Sequence, residues 1–264
     1  MLSKLSIISA VGLVTTSLFA QGPARHLGGG PGGDGDFALV RAEFGLLNRV
    51  VQGAPYSAQA VTQFTQSLPN GDHIQRTTTA SIARDSQGRT RMDRSIETVG
   101  ALAATTGGSV RAIVIHDPVA GLSYALDPAN HTGRSIQIPQ SQREVSDRFG
   151  QTRTRRSSPG AKTEDLGTQV IQGVSAQGKR VTRAIPAGQE GNEKEIDIVT
   201  ETWYSPDLQM VVQSKTSDPR FGETSYQVSG LSRVEPDPAL FAVPAGYTIT
   251  AGRTMTRRGQ EAAQ

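Results

Sequence analysis

The residues best suited to acid–base chemistry or zinc binding are four histidines: His26, His73, His116 and His131. None of them belongs to an H-E-x-x-H motif or has a second histidine close by in the sequence, so no local zinc site is visible. Solvent exposure or an ordinary hydrogen bond is the expected state of such isolated histidines. The sequence therefore predicts no bound metal and no other cofactor.

A serine hydrolase needs a nucleophile, a base and an acid. His116 is followed by Asp117, and a serine lies in GVSAQG at residues 173–178. That stretch is one residue longer than the G-x-S-x-G nucleophile turn, and it joins two predicted strands rather than a strand and a helix. We do not expect a hydrolase.

Carboxylates at alternate strand positions can face each other across a groove, as the paired acids of glycosidases do. The candidates are Glu193 with Glu195 and Asp197 with Glu201. Solvated strand faces show the same spacing, however. In GGDGD, Asp34 and Asp36 lack the remaining ligand positions of a calcium loop. Together these patterns predict a protein that is not an enzyme.

The N-terminus indicates export from the cell. One cation at Lys4 precedes an apolar run that ends near Ala20 with small residues, as in a secretory signal peptide over residues 1–20. The run is shorter than the roughly 20 residues that a membrane-spanning helix needs, and no later segment is apolar enough to span. We therefore predict a periplasmic or secreted protein without a transmembrane segment in the mature chain.

Residues 21–35 are rich in glycine and proline and are predicted to be a disordered leader. Gly28, Gly30 and Gly33 formally match G-x-G-x-x-G, but dinucleotide binding needs a strand before the motif and a helix after it. From residue 36 to 52 the apolar residues follow a helical stripe, which predicts one amphipathic helix.

From residue 55 onward the apolar residues alternate with polar ones, which is typical of half-buried antiparallel strands. About eleven such segments are joined by turn-forming stretches, including PNGD, DPANHTG, AQG at residues 176–178 and AGQEGN. VRAIVIHD is continuously apolar and is expected to be central, with both faces covered. The fold class predicted is mainly β: one curved antiparallel sheet, an unclosed barrel, in a single domain over residues 36–250, followed by a disordered tail at 251–264.

The stretch DPALFAVPAGYTI ends the sheet, because Pro236 and Pro238 cannot donate ladder hydrogen bonds. Leu240, Phe241 and Val243 are predicted to pack back onto an apolar sheet face as a plug. Pro244 and Gly246 are expected to end this contact.

Three stretches, GVSAQGKRVTRAIP, ETWYSPDLQMVVQSKTSDPR and DPALFAVPAGYTI, resemble the C-terminal half of secreted bacterial proteins related to the periplasmic lipoprotein-carrier (LolA-like) fold. The first half, with GAPYSAQAVTQF and HDPVAGLSYALDP, is similar to exported bacterial proteins of unassigned function. The resemblance covers roughly residues 53–249. It implies an unclosed, strongly curved antiparallel barrel whose concave side is covered by helices or loops and holds acyl chains in known relatives.

These observations predict that the concave face binds a hydrophobic ligand, a lipid or acyl group. The large side chains on strands that we expect to line it are Tyr56, Phe64, Trp203, Met210 and Tyr226. The alternative is an envelope structural or interaction protein, whose sheet is filled by its own side chains.

Residues 140–165 are polar, rich in arginine and without sustained periodicity, which predicts an exposed connection. Its arginines could contact an anionic lipid headgroup or an envelope partner. They are Arg143, Arg148, Arg153, Arg155 and Arg156. A formal net charge of +3 and the absence of interleaved aromatic residues give no indication of nucleic-acid binding.

Overall fold

The structure is a computed structural model that describes residues 50–97, 108–138 and 161–252. The predicted signal peptide, the leader, most of the predicted helix, the five arginines of the connection and all but the first two residues of the predicted tail lie outside these residues. Residues 50–52, the end of the predicted helix, are described and are not helical.

The first half of the described chain contains six strands. They are β1 (Tyr56–Ser67), β2 (His73–Arg84), β3 (Thr90–Glu97), β4 (Ser109–Asp117), β5 (Leu122–Asp127) and β6 (Thr132–Gln137). The second half contains six more strands and a short 3-10 helix. These are β7 (Ala161–Ile171), β8 (Val174–Ile185), β9 (Ile196–Ser205), β10 (Met210–Asp218), β11 (Gly222–Ser232), the 3-10 helix (Pro238–Phe241) and β12 (Thr248–Ala251).

All twelve strands form one sheet in the order β12-β6-β5-β4-β3-β2-β1-β11-β10-β9-β8-β7. The predicted fold class, one curved and unclosed antiparallel sheet, is confirmed. Strand β12 was not predicted: it pairs with β6 in parallel, with its first residue Thr248 opposite Thr132. Among the described strands, β7 and β12 are therefore the two edges.

The joint between β7 and β8 differs from the prediction. The turn residues are Gln172 and Gly173, which both have positive φ, 52° and 77°, as a two-residue hairpin turn of type I′ requires. The predicted joint, residues 176–178, lies within β8 instead. Strand β7 also starts at Ala161, inside the predicted connection. The sequence did not predict this start, because the polar, exposed side chains of β7 do not produce an alternating pattern.

The sheet has two faces, which we define on β1 and β4. The inner face carries Tyr56, Ala58 and Ala60, and the outer face carries Ile113 and Ile115. A large part of the inner face is packed by an inner cluster of buried side chains. Its members are Tyr56, Ala58, Ala60, Ala80, Ile82, Met92, Val174, Ala176, Leu208, Met210, Val212, Tyr226 and Val228.

Arg84 shows how strongly the sheet curls. Its side chain is on β2 and only 4% exposed, and its Nε donates to the Ala54 carbonyl at 2.9 Å. Its Nη2 donates to the carbonyl of Leu208, in the turn between β9 and β10, and its guanidinium lies 4.8 Å from the ring centre of Tyr56. Strand β10 is three positions from β2 in the sheet, so only a curved sheet brings these groups together.

The outer face has its own, smaller outer cluster. Ile113, Ile115 and Leu126 are buried there, and the partly buried Tyr124, Val243, Tyr247 and Ile249 pack against them. Val243, Tyr247 and Ile249 come from the C-terminal segment at residues 235–252, which we call the strap. The predicted plug therefore covers the outer face of β3 to β5, opposite the inner cluster.

Polar contacts hold the strap in place. The carboxylate of Glu235 accepts from the backbone N–H of Ser86 at 3.0 Å, and Arg91 donates to the carbonyl of Leu240 at 3.1 Å. Phe241 is 3% exposed, as predicted, and the Arg89 guanidinium lies 5.3 Å from its ring centre. Leu240 is 38% exposed, and the chain continues past Gly246 into β12, so the contact extends further than predicted.

Candidate functional site

The inner face of β4 carries apolar side chains outside the inner cluster. Val110, Ala112 and Val114 alternate with Ile113 and Ile115, so they lie on the face opposite the outer cluster. Val110 is 41% exposed, and Ala112 and Val114 are partly exposed. VRAIVIHD was expected to have both faces covered; the strap covers its outer face, whereas its inner face is partly open.

The open surface continues onto β5 and β6. Ala125 pairs with Val114, and Ser123, which pairs with His116, also pairs with Ile136. Ile136 is 48% exposed. We call Val110, Ala112, Val114, Ala125 and Ile136 the apolar patch. Ile136 is level with His116 in the sheet, six residues along β4 from Val110, and lies two strands away. This corresponds to about 22 Å across the pleated surface.

A depression of about 370 Å³ lies at the β6 side of the apolar patch. Its lining combines apolar and polar groups: Ala125, Leu126, Asp127, Thr132, Gly133, Arg134 and Thr250. Hydrogen bonds from the side chain and backbone of Asn130 and from the backbone of Ala129 hold the pKa of Asp127 below its usual value. The patch thus ends beside a polar rim that contains the exposed cation Arg134 and the anion Asp127.

Three of the predicted lining residues belong to the inner cluster. Tyr56 and Tyr226 are 6% and 5% exposed, and Met210 is 4% exposed. Burial raises the pKa of both tyrosines above the usual value, although the Arg84 charge works against this at Tyr56. The structure therefore places these three side chains among the protein's own packed residues, and their role in ligand binding stays a prediction.

The other two predicted lining residues are separated. Phe64 is 9% exposed and shares the inner face with Tyr56, eight residues further along β1. Trp203 pairs with Gln213, while its neighbour Thr202 pairs with Ser214, the partner of Tyr226. Trp203 is therefore on the face opposite Tyr226 at this level of the sheet. It reaches the rim of the inner cluster, and a Cβ at Gly178 would lie 2.5 Å from its ring.

The structure brings none of the candidate acid–base groups together in the part of the chain that it describes. His73 is exposed, His131 is exposed with its ring centre 5.5 Å from that of Tyr247, and His116 is buried without a carboxylate partner. Glu201 accepts from Arg180 at 2.8 Å, as in an ordinary surface ion pair. His26 lies outside the described residues.

Two further features are absent from residues 50–97, 108–138 and 161–252. These ranges contain no group of three or more His, Asp or Glu side chains placed to hold a metal ion. They also contain no helix with the length and apolar character needed to cross a membrane.

Sequence reasoning missed the apolar patch. The signal for it was present, because Val110, Ala112 and Val114 alternate with Ile113 and Ile115. A strand with apolar residues at both odd and even positions does not show which of its two faces is open, however. Ile136 was within a recognised strand, GRSIQIP, but large aromatic side chains were preferred as candidates.

Comparison with known proteins gives distant structural matches. No protein-family model matches the chain, and no curated protein matches it. Among solved structures, the chain is similar to the Pseudomonas aeruginosa MucA/MucB complex, with 14% identity and a TM-score of 0.38 over 75% of this chain. That match spans only 59% of the other chain.

Two further matches span nearly the whole of the other protein. They are the Mycobacterium tuberculosis lipoprotein LppX (15% identity, TM-score 0.27, 75% of this chain and 96% of the other) and a LolA superfamily protein from Nitrosomonas europaea (10% identity, TM-score 0.29, 78% and 97%). The LolA superfamily, which the sequence resembles, is thus represented among these matches, each of which has a TM-score below 0.5. Likeness of this degree assigns no function to any residue.

Proposed function

We propose that this protein is an exported, non-enzymatic carrier or binding protein, and that the apolar patch on its inner face binds one lipid or acyl chain. The observation that carries the proposal is the division of the inner face. One part is packed by the inner cluster, while Val110 and Ile136 on the same face are 41% and 48% exposed.

The dimensions and chemistry of the patch suit an acyl chain. Its length of about 22 Å exceeds the roughly 15 Å that one lipid leaflet contributes to a bilayer's hydrocarbon core. Apolar burial stabilises by about 25 cal/mol per Å², so such a chain binds without many specific polar contacts. The rim with Thr132 and Arg134 offers hydrogen bonds and a positive charge to a polar headgroup.

The test is native mass spectrometry of protein extracted without detergent. We expect an added mass of a lipid or fatty acid on the wild type and its loss from the double variant V110S/I136S. The matched control is V119S/V234S, which removes two valines that are 62% and 74% exposed outside the patch, and it should retain the ligand. A bare mass for the wild type, also after incubation with fatty-acid vesicles, would contradict the proposal.

A second function, an envelope structural or interaction protein, is favoured by one specific observation. The predicted lining residues Tyr56, Met210 and Tyr226 are buried in one cluster with Leu208 of the protein's own β9–β10 turn. In that case no lipid is retained, and a partner binds instead through an exposed edge such as β7 or through the arginines of residues 140–160. Finding a bare mass together with a protein cross-linked in the envelope would favour this alternative. The periplasmic or secreted location is part of both proposals.

A further inference from the structure

His116 is a buried titratable group that the proposed ligand site does not use. It is 5% exposed, on the inner face of β4, and pairs with Thr90 of β3 and Ser123 of β5. The Nε2 atom of His116 and the Oγ1 atom of Thr90 are both buried and make no hydrogen bond. A buried polar atom without a partner is costly, and a buried charge without one costs more.

Among the described residues, the carboxylates nearest to His116 in the fold are engaged by other donors. Charged groups on the neighbouring elements include Arg84 of β2, Asp85 and Arg89 of the turn to β3, Arg94 of β3, Asp117 of β4, Asp127 of β5 and Arg134 of β6. The carboxylate of Asp85 is occupied by Arg89 at 2.5 Å. The carboxylate of Asp117 accepts from the backbone N–H groups of Val119 and Ala120, both at 2.9 Å.

We infer that His116 and Thr90 form an acid-sensitive lock at this end of the inner face. With a neutral imidazole, β3 and β4 pack closely here. A protonated imidazole would place a second buried cation on the face that already holds Arg84, and the β3–β4 end would open to hydrate it. This inference does not depend on the proposed lipid ligand.

The direction of the pH effect follows from the burial. Burial lowers the pKa of His116 below its usual value, and the charge of Asp117 only partly opposes this. The open state therefore binds a proton more tightly than the closed state. The lock is fully effective above the ordinary histidine pKa of about 6.5 and weakens as the pH falls through that value. At pH 5 the ratio of closed to open molecules is at most about 30-fold lower than at high pH. This limit applies if the imidazole never binds a proton in the closed state.

Amide hydrogen exchange on the full-length protein tests the lock. After correction for intrinsic rates, we expect the amides of β3 and β4 to open more often at pH 5.0 than at pH 7.5, by up to about 30-fold, while those of β8 and β9 change less. His116→Gln should remove the difference. His73→Gln and His131→Gln change exposed histidines and should retain it.

Three results would overturn the inference: no rise in exchange at pH 5.0, the same rise in His116→Gln, or an equal rise in all strands. If His116→Gln fails to fold, imidazole NMR on the wild type decides. A midpoint for His116 below those of His73 and His131 supports the lock, and a midpoint at or above theirs refutes it.

Discussion

The inner and outer clusters lie on opposite faces of one sheet but are built in different ways. The inner cluster forms because the sheet curls until the β9–β10 turn, with Leu208, packs against β1 and β2. The outer cluster forms because a separate segment, the strap, lies across β4 and β5. Only the first depends on curvature. The strap leaves the inner face of β4 to β6 partly exposed, and this is where we propose that the ligand binds.

The largest expected effect comes from Arg84, which holds the curl of the inner cluster. Arg84→Met leaves the carbonyls of Ala54 and Leu208 buried without their donor, and it should lower the free energy of unfolding by about 4 kcal/mol, since each hydrogen bond from a charged group contributes about 1.5–3 kcal/mol. Urea denaturation measures this. The control Arg76→Met removes an exposed cation from the same face of β2 and should change stability by less than about 0.5 kcal/mol. Equal effects would show that Arg84 does not hold the curl.

The next effect separates the two faces. Phe241→Ala should cost about 3 kcal/mol, because a buried aromatic ring is lost from the strap. The affinity for a fluorescent fatty acid should stay unchanged, since Phe241 is on the outer side. A loss of affinity at a temperature where the variant is fully folded would mean that the plug closes the ligand site after all.

The smallest effect concerns a surface ion pair beside the strap. Arg111 and Arg91 hold the pKa of Asp93 below its usual value through hydrogen bonds and charge, in spite of partial burial. The folded state therefore binds this proton less tightly, so the stabilisation is present above about pH 4 and disappears as the pH falls through the lowered pKa. Asp93→Asn should cost about 1 kcal/mol at pH 7.

The difference between Asp93→Asn and the wild type should shrink towards zero at low pH, where the carboxyl is protonated in both states. Urea denaturation at pH 7 and at pH 3 measures it. A cost that stays constant over this range would assign the effect to packing instead of charge.

The alternating pattern was sufficient to predict the strands and the antiparallel sheet, because a strand with one covered face has a period of two. The burial of Phe241 was predicted separately, from the apolar residues that follow Pro236 and Pro238. The pattern distinguishes two faces of a strand but does not say which face is concave. The sequence therefore predicted that the plug packs on the sheet, but it did not predict on which of the two faces.

Local irregularities limited the prediction of the site. In β10 the pairing register shifts between Val211 and Gln213, so residues on either side of the shift do not keep to one face. Met210 and Trp203 could not be assigned to an interior from their spacing for this reason. Strand β12 was missed because its four residues, TITA, are too few for a recognisable pattern and depend on pairing with β6.

Cross-linking with a photoreactive fatty acid tests the central claim most directly. After irradiation and digestion, mass spectrometry identifies the labelled residues. We predict saturable labelling of the inner-face residues of β4 and β6, around Val110, Val114 and Ile136, and competition by unlabelled fatty acid. Labelling confined to the strap and the outer cluster, or labelling that does not saturate, would contradict a ligand site on the inner face.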